Sequence, residues 1–308
     1  MKKKLFYFIA IFSFCFFINS FAVFAINANA GKNSAAFLKI PVGARAAGMA
    51  GAYTALANDI FAAYYNPAGL TEIKKLSVGF QHNSWLLDIN QEFIGIAIKL
   101  PQENVLALSA NILDAGNEAR TLETTSGAYG GTDGIWTATD MALSLSFAKK
   151  LHNTLSFGAT GKLIKQEIAG YKADAVALDL GLLTSFIEED LKLGLSIQNF
   201  GTKLKFIEKK ESLPIIYRAG IGYKIPNIIL SMDLIKPNDD DLSLRLGAEY
   251  FISEALALRA GWNSDDDLSN HGLSFGAGVK IQKLKLDYAF EPKDNFGDVH
   301  RFSINYEF

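Results

Sequence analysis

The sequence predicts an all-β membrane barrel, an antiparallel up-and-down barrel of fourteen strands, and three observations predict it. Apolar and polar residues alternate along most of the chain from Leu76 onward, which is the period of a strand with one apolar face. The connections between these segments alternate between longer and shorter, as they do in outer-membrane barrels. Hydrophobic residues make up 49% of the chain. Even so, no apolar run beyond the N-terminus reaches the roughly 18 residues that a membrane helix needs.

The first 30 residues are interpreted as an export signal. The basic run Lys2–Lys4 precedes an apolar stretch from Leu5 to about Phe24. The small-x-small sequence Ala28–Ala30 then predicts cleavage before Gly31. The apolar stretch is also long enough for an uncleaved anchor helix, but the cleavage sequence favours a signal peptide. An exported chain with a barrel pattern is expected in the outer membrane of a Gram-negative-type bacterium.

Residues 31–75 are predicted to form a segment inside the barrel, which we call the hatch. Residues 41–63 are rich in Ala and Gly and are predicted to be helical. A barrel of fourteen strands is too wide for the side chains of its wall to fill, so its lumen holds water or a plug. An Asn-Pro-Ala-Gly run then predicts a turn, because proline disfavours helix at the preceding residue and glycine permits positive φ. The hatch residues singled out are Asn58, Asp59, Asn66, Pro67, Ala68 and Gly69.

The predicted barrel occupies residues 76–308. Its fourteen strands are expected at 76–82, 91–100, 104–113, 137–149, 153–168, 173–187, 191–200, 214–225, 228–235, 242–252, 255–263, 272–281, 284–291 and 299–308. The last strand ends on the aromatic residue Phe308. It must pair with the first strand, because an unpaired strand edge is not tolerated in lipid.

Charged residues on the polar phase of the strands are expected to line the lumen. They are Lys162, Asp179, Arg218, Arg245, Glu249, Arg259, Asp287 and Arg301. Polar lumens are the rule in such barrels. We interpret these residues as ion pairs that brace a hydrated interior and hold the hatch, and a selectivity lining is the alternative.

Composition and motifs argue against several other functions. The net charge of −2 leaves no basic surface for nucleic acid. The single cysteine, Cys15, lies in the predicted signal peptide, so the mature chain is expected to have no disulfide and no cysteine metal site. No cofactor is expected. Gly272–Gly276 matches a nucleophile-elbow pattern, but a strand continues after it where that motif needs a helix. Gly158–Lys162 lacks the spacing of a phosphate-binding loop. The acidic runs Asp239–Asp241 and Asp265–Asp267 are interpreted as turn residues, with calcium binding, or pairing with lipopolysaccharide phosphates through divalent ions, as the alternatives. No enzymatic activity is predicted, and an outer-membrane lipase is the least favoured of the hypotheses.

The segment from Gly43 to Leu70 reads GARAAGMAGAYTALANDIFAAYYNPAGL. It resembles the N-terminal signature of the PorV/PorQ (UPF0164-type) outer-membrane proteins, relatives of the FadL/TodX long-chain fatty-acid transporters. The resemblance is dense over residues 39–73 and rests on the Gly-Ala-rich stretch, the Asn58-Asp59 step and the Asn-Pro-Ala-Gly run. It implies a barrel of fourteen strands with a hatch in the lumen.

The resemblance also implies two functions. The PorV branch implies a role in type IX-like protein secretion or surface attachment, with secreted proteins or secretion components as partners. The FadL branch implies uptake of small hydrophobic molecules. The absence of long inserted segments of the FadL kind favours the PorV branch. Outer-membrane lipid and lipopolysaccharide would surround the barrel in either case.

Overall fold

The computed structural model describes residues 31–186, 190–265 and 271–308. The predicted signal peptide and part of the acidic run at Asp265–Asp267 lie outside these residues. The strands are β1 (Leu76–Ser84), β2 (Asn90–Lys99), β3 (Asn104–Glu123), β4 (Tyr129–His152), β5 (Leu155–Ile168), β6 (Tyr171–Phe186), β7 (Leu191–Gly201), β8 (Leu204–Phe206), β9 (Lys209–Glu211), β10 (Ile216–Ile225), β11 (Ile228–Pro237), β12 (Ser243–Phe251), β13 (Leu256–Asn263), β14 (Leu273–Ile281), β15 (Leu284–Glu291) and β16 (Val299–Glu307).

Fourteen of these strands close into one antiparallel barrel, which confirms the predicted fold class. Each strand pairs with its neighbours in sequence order, and β1 closes the barrel by pairing with β16, where Phe80 lies opposite Ile304. The short strands β8 and β9 form a separate hairpin. Closure leaves no unpaired edge in the wall, as a membrane barrel requires.

The wall is apolar on its outer surface and polar inside. On β1, Phe80 is 43% exposed while the adjacent Gln81 is fully buried. On β2, Ile94 and Ile96 are exposed while Gln91 is buried. This arrangement inverts that of a soluble protein and fits a wall surrounded by lipid.

Two predicted connections contain additional strand structure. The connection predicted at 114–136 is replaced by long extensions of β3 and β4. Pairing of β2 with β3 ends at Asp114, and pairing of β5 with β4 starts at Ala138, so residues 115–137 form a projecting two-stranded ribbon. A ribbon with water on both faces lacks apolar alternation, and the sequence pattern therefore missed it. The connection predicted at 201–213 contains the hairpin β8–β9.

The hatch contains short helices, as predicted, but not one continuous helix over residues 41–63. The segment contains only two single-turn helices, Ala44–Ala47 and Ala62–Tyr65, separated by turns. Gly43 and Gly51 have positive φ values of 85° and 75°, which interrupt a helix and redirect the chain. None of the helices in the described ranges is long and apolar enough to span a membrane.

The hatch passes through the lumen from one end to the other. The start of β1, the end of β16 and the short connections share what we call the inner end, except for the two-residue connection between β5 and β6. That connection lies with the long ones at the outer end. Near its start, Ser34 donates from its backbone nitrogen to the carbonyl of Ser212 beside the β8–β9 hairpin, at the outer end. Near its finish, Glu72 pairs with Lys192 at 2.6 Å, at the inner end. The chain therefore crosses the barrel from the outer end and enters β1 at the inner end.

Candidate functional site

The hatch fills the lumen. Every residue from Val42 to Thr71 is buried except Arg45, Ala50 and Asn58, which are partly exposed. Aromatic side chains form its centre, with the Tyr53 and Tyr65 rings 5.4 Å apart in an edge-to-face arrangement. A segment buried on all sides contacts the wall around its whole circumference.

Inward-facing glycines of the wall let the hatch backbone come close. A Cβ atom on Gly158 of β5 would lie 2.6 Å from the Pro67 carbonyl oxygen and closer still to the Ala68 nitrogen. A Cβ on Gly194 of β7 would lie 2.7 Å from the carbonyl carbon of Thr54. A Cβ on Gly261 of β13 would also meet hatch backbone, at the carbonyl carbon of Met49 and the nitrogen of Ala50. Hatch side chains come equally close to other wall glycines, namely Ile60 to Gly79 and Gly95, Asn66 to Gly181 and Leu56 to Gly222. The hatch and the wall are thus complementary at the level of backbone atoms.

The Asn-Pro-Ala-Gly run is a helix start, and the predicted turn with a positive φ at glycine is wrong. Asn66 caps a 3-10 helix over Pro67–Glu72 by accepting a hydrogen bond from the Ala68 nitrogen at 3.2 Å. Its amide nitrogen donates to the Thr54 carbonyl at 2.9 Å and to the Leu182 carbonyl of the wall at 3.0 Å. Pro67 suits the first helical position, where no backbone donor is needed.

Gly69 serves a different purpose from the one predicted. Its φ is not positive. A Cβ at Gly69 would lie 2.9 Å from the carbonyl carbon of Ala57, and nearer still to the attached oxygen. Glycine is needed there because two parts of the hatch backbone touch.

A cluster of ion pairs joins the hatch to the inner half of the wall. Arg45 donates to both carboxylate oxygens of Glu249, at 2.7 and 3.0 Å. Arg259 donates to Glu249 at 2.8 Å and pairs with Asp287 at 2.8 Å. The predicted lumenal residues Glu249, Arg259 and Asp287 therefore come together around Arg45. Sequence reasoning missed Arg45, although it is the one basic residue between Val42 and Ile73 and could have been found on that basis.

Asn58 and Asp59 lie beside this cluster. Asn58 accepts a hydrogen bond from Arg45 at 2.8 Å. Asp59 accepts one from the Tyr53 hydroxyl at 3.0 Å and one from the Phe61 nitrogen at 3.0 Å. Burial raises the pKa of Asp59, although Arg45 opposes this shift. Both residues hold the fold of the hatch itself.

Asp233 of β11 is a second anchor that the sequence analysis missed. One carboxylate oxygen accepts from the Tyr53 nitrogen at 3.1 Å, the Thr54 nitrogen at 2.9 Å and the Thr54 hydroxyl at 2.6 Å. Asp233 lies on the polar phase of its strand, so the same alternation that predicted the other lumenal charges could have included it.

The remaining predicted lumenal charges occupy separate places. Lys162 pairs with Asp179 at 2.6 Å. Arg301 donates to Glu291 at 2.6 Å. Arg218 donates to Gln198 at 2.9 Å, and its guanidinium carbon lies 5.3 Å from the centre of the Tyr65 ring. Arg245 and Arg218 have no carboxylate within ion-pair distance among the residues described.

An outer cavity of about 190 Å³ lies between the upper hatch and the wall. Its lining combines cationic, apolar and polar residues with one carboxylate: Lys39, Ile40, Pro41, Trp85, Arg245, Asn263, Leu273, Ser274, Glu291 and Lys293. Glu291 is paired with Arg301 and Lys293. The floor includes Ala47 and Ala50 of the hatch. The cavity opens at the outer end and stops at the hatch.

The central residues of the two motifs considered in the sequence lie within strands of the barrel wall. The Ser274 hydroxyl of the nucleophile-elbow pattern accepts from the Ala50 nitrogen at 2.9 Å, within strand β14. Gly158 and Lys162 lie within β5. Within the described ranges, no group of three His, Cys, Asp or Glu residues could hold a metal ion.

Comparisons with known proteins agree with this architecture. A sequence model of the family described as "Uncharacterised protein family (UPF0164)" matches residues 22–105. A search of curated proteins finds no match.

Three solved structures are similar in fold. The toluene transporter TodX of Pseudomonas putida has a TM-score of 0.64 at 12% identity, covering 86% of this chain and 96% of that one. The toluene transporter TbuX of Ralstonia pickettii has a TM-score of 0.63 at 14% identity, covering 87% and 98%. A FadL homologue of Pseudomonas aeruginosa has a TM-score of 0.59 at 12% identity, covering 87% and 98%. The N-terminal part of the chain is therefore similar to the UPF0164 model, and the barrel has the fold of the FadL and TodX proteins.

Proposed function

We propose that this protein is an integral outer-membrane barrel without enzymatic activity, acting in type IX-like protein secretion or surface attachment, as the resemblance to PorV and PorQ implies. The observation that carries the proposal is the tight packing of the hatch against inward glycines such as Gly158 and Gly194. A lumen closed by backbone contacts offers no ready route for solutes. Its function is then exerted by the surface that it presents outside the membrane.

The ribbon at residues 115–137 supports an outer interaction surface. Beyond Asp114 and Ala138 both strands of the ribbon have unpaired edges. Leu122, Tyr129 and Ile135 are 43%, 72% and 67% exposed there. An extended segment of another protein can add to such an edge through backbone hydrogen bonds. Secreted proteins or secretion components are the proposed partners.

Uptake of small hydrophobic molecules is the second candidate. The outer cavity favours it, because its walls include Ile40, Trp85 and Leu273. TodX and TbuX, which share this fold, are toluene transporters. For this chain, uptake would require displacement of the hatch below the cavity.

Two measurements on the full-length barrel separate these candidates. In the first, the barrel is isolated from native membranes and its bound proteins are identified. The matched control replaces residues 116–137 with Asn-Gly, a two-residue hairpin turn that shortens the ribbon. We expect proteins to bind the native barrel and to be lost from the shortened one.

In the second measurement, the same two proteins are reconstituted into liposomes, and entry of toluene and of a fatty acid is followed. The proposal expects no entry above that of empty liposomes. Entry of either molecule, combined with no bound protein, would reject the proposal and favour uptake.

A further inference from the structure

The outer cavity has a feature that neither proposed function uses, an arginine without an ionic partner. We propose that this cavity binds a small organic anion, a carboxylate attached to one aromatic ring or to an apolar group of similar size, with Arg245 as its cationic partner. The proposal is independent of whether the barrel serves secretion or uptake, because it concerns binding above the hatch.

The size of the cavity sets the size of the ligand. Its volume is about 190 Å³. An apolar protein cavity of about 150 Å³ holds one benzene molecule. Pockets for drug-sized ligands measure roughly 300–1,000 Å³. The outer cavity therefore fits one ring with one small polar group and is too small for a long acyl chain.

The charged residues around the cavity indicate which polar group the ligand carries. Lys39 pairs with Asp239 at 3.2 Å and with Asp240 at 3.6 Å. Lys293 pairs with Glu291 at 3.4 Å. Arg245 forms no ion pair within the described part of the chain, and its one hydrogen bond runs from Nη1 to the Ala50 carbonyl at 3.3 Å.

The neighbouring acidic residue, Asp233, forms no ion pair with Arg245, although one of its carboxylate oxygens is buried without a hydrogen-bond partner. Asp233 lies opposite Arg245 in the register of β11 and β12. One carboxylate oxygen of Asp233 is taken up by the Tyr53 and Thr54 donors described above. No ion pair joins Asp233 to Arg245, whose Nε is buried and lacks a hydrogen-bond partner. An unpaired buried donor on a cation is unfavourable, and a carboxylate can accept two hydrogen bonds from a guanidinium at once.

The opposite wall suits an apolar body. Ile40 and Pro41 of the hatch and Trp85 after β1 line the cavity together with Arg245. A ring placed against these side chains loses contact with water, while its carboxylate can reach the guanidinium. A neutral hydrocarbon would gain only the first of these contacts and would leave Arg245 unpaired. The site is therefore expected to discriminate by charge.

Calorimetric titration of the full-length barrel in a neutral detergent tests the proposal, with benzoate and toluene as probes. Benzoate is expected to bind at least tenfold more tightly than toluene. Arg245→Gln is expected to weaken benzoate binding at least tenfold, while Arg245→Lys retains part of the affinity. The matched control is Arg120→Gln, which removes an exposed arginine from the ribbon and should leave binding unchanged.

A second measurement detects binding through the stability of the barrel instead of through the heat of binding. Benzoate should raise the denaturant midpoint of the native barrel and of Arg120→Gln, but not that of Arg245→Gln. If Arg245→Gln does not fold, the comparison of benzoate with toluene on the native barrel decides. The proposal is overturned by absent benzoate binding, by equal affinity for toluene, or by full benzoate affinity in Arg245→Gln.

Discussion

Two glycines on strand β5 provide a direct test of the close contact between hatch and wall. Gly158 faces the lumen, whereas Gly161, three residues further along the same strand, faces outward. A Cβ at Gly161 meets nothing within 4 Å. A Cβ at Gly158 meets the backbone of Pro67 and Ala68, with the Pro67 oxygen at 2.6 Å. Gly158→Ala is therefore the perturbation and Gly161→Ala its matched control.

The expected loss of stability in Gly158→Ala follows from the overlap between the added methyl group and the hatch backbone. Ordinary contact between heavy atoms begins at about 3.5 Å, so the strand or the hatch must move by roughly 1 Å to admit the methyl group at Gly158. Backbone atoms cannot rotate away as a side chain can. Overpacking of this kind typically costs about 1–3 kcal/mol. The control is expected to be neutral or to gain a few tenths of a kcal/mol through the unfolded chain.

Equilibrium unfolding in denaturant, with the barrel in detergent micelles, measures the difference between the two variants. A difference of about 2 kcal/mol corresponds to a factor of about 30 in the folding equilibrium. Conductance across a planar bilayer reports whether the hatch is displaced in Gly158→Ala. Equal unfolding midpoints for the two variants, with both barrels closed, would refute close backbone packing at Gly158.

Two further predictions concern the buried ion pairs. Glu249→Ala removes the carboxylate that Arg45 and Arg259 share and is expected to cost about 3 kcal/mol, because Arg45 then has no ion-pair partner among the described residues while Arg259 keeps only Asp287. Its measurement is the denaturant midpoint together with protease cleavage of the hatch, and native protection from protease would contradict it. Lys162→Met is expected to destabilise the barrel by about 3 kcal/mol by leaving Asp179 unpaired, and adding Asp179→Leu should recover most of the loss. A double variant no more stable than Lys162→Met would show that the pair is not coupled in this way.

The sequence predicted those parts of the fold that depend on local periodicity. Fourteen strands, their apolar outer face and their polar inner face follow from alternation, because successive side chains of a strand point to opposite sides. The inward placement of Lys162, Arg245 and Glu249 follows from the same rule. In the ribbon at residues 115–137 both faces meet water, so apolar and polar residues do not alternate and the strands were not predicted.

The conformation of the hatch could not be predicted in this way. Its Ala and Gly residues predicted a helix over 41–63, but the contacts that shape it come from distant parts of the chain. Arg45 binds Glu249, which is 204 residues away. Gly69 was predicted to permit a positive φ, whereas glycine is required there because a Cβ would collide with the Ala57 carbonyl. Such close approaches arise only once the barrel has closed around the segment.

The sequence by itself therefore determined the class of the protein and the identity of the segment in its lumen, because strand periodicity and the signature from Gly43 to Leu70 are local properties. The tertiary structure alone decided the path of the hatch from the outer to the inner end and the pairing of the lumenal charges. It also left Arg245 beside the outer cavity without an ion pair to any of the residues described. Pairing depends on distances of a few ångströms between residues far apart in the chain, and the folded backbone sets those distances.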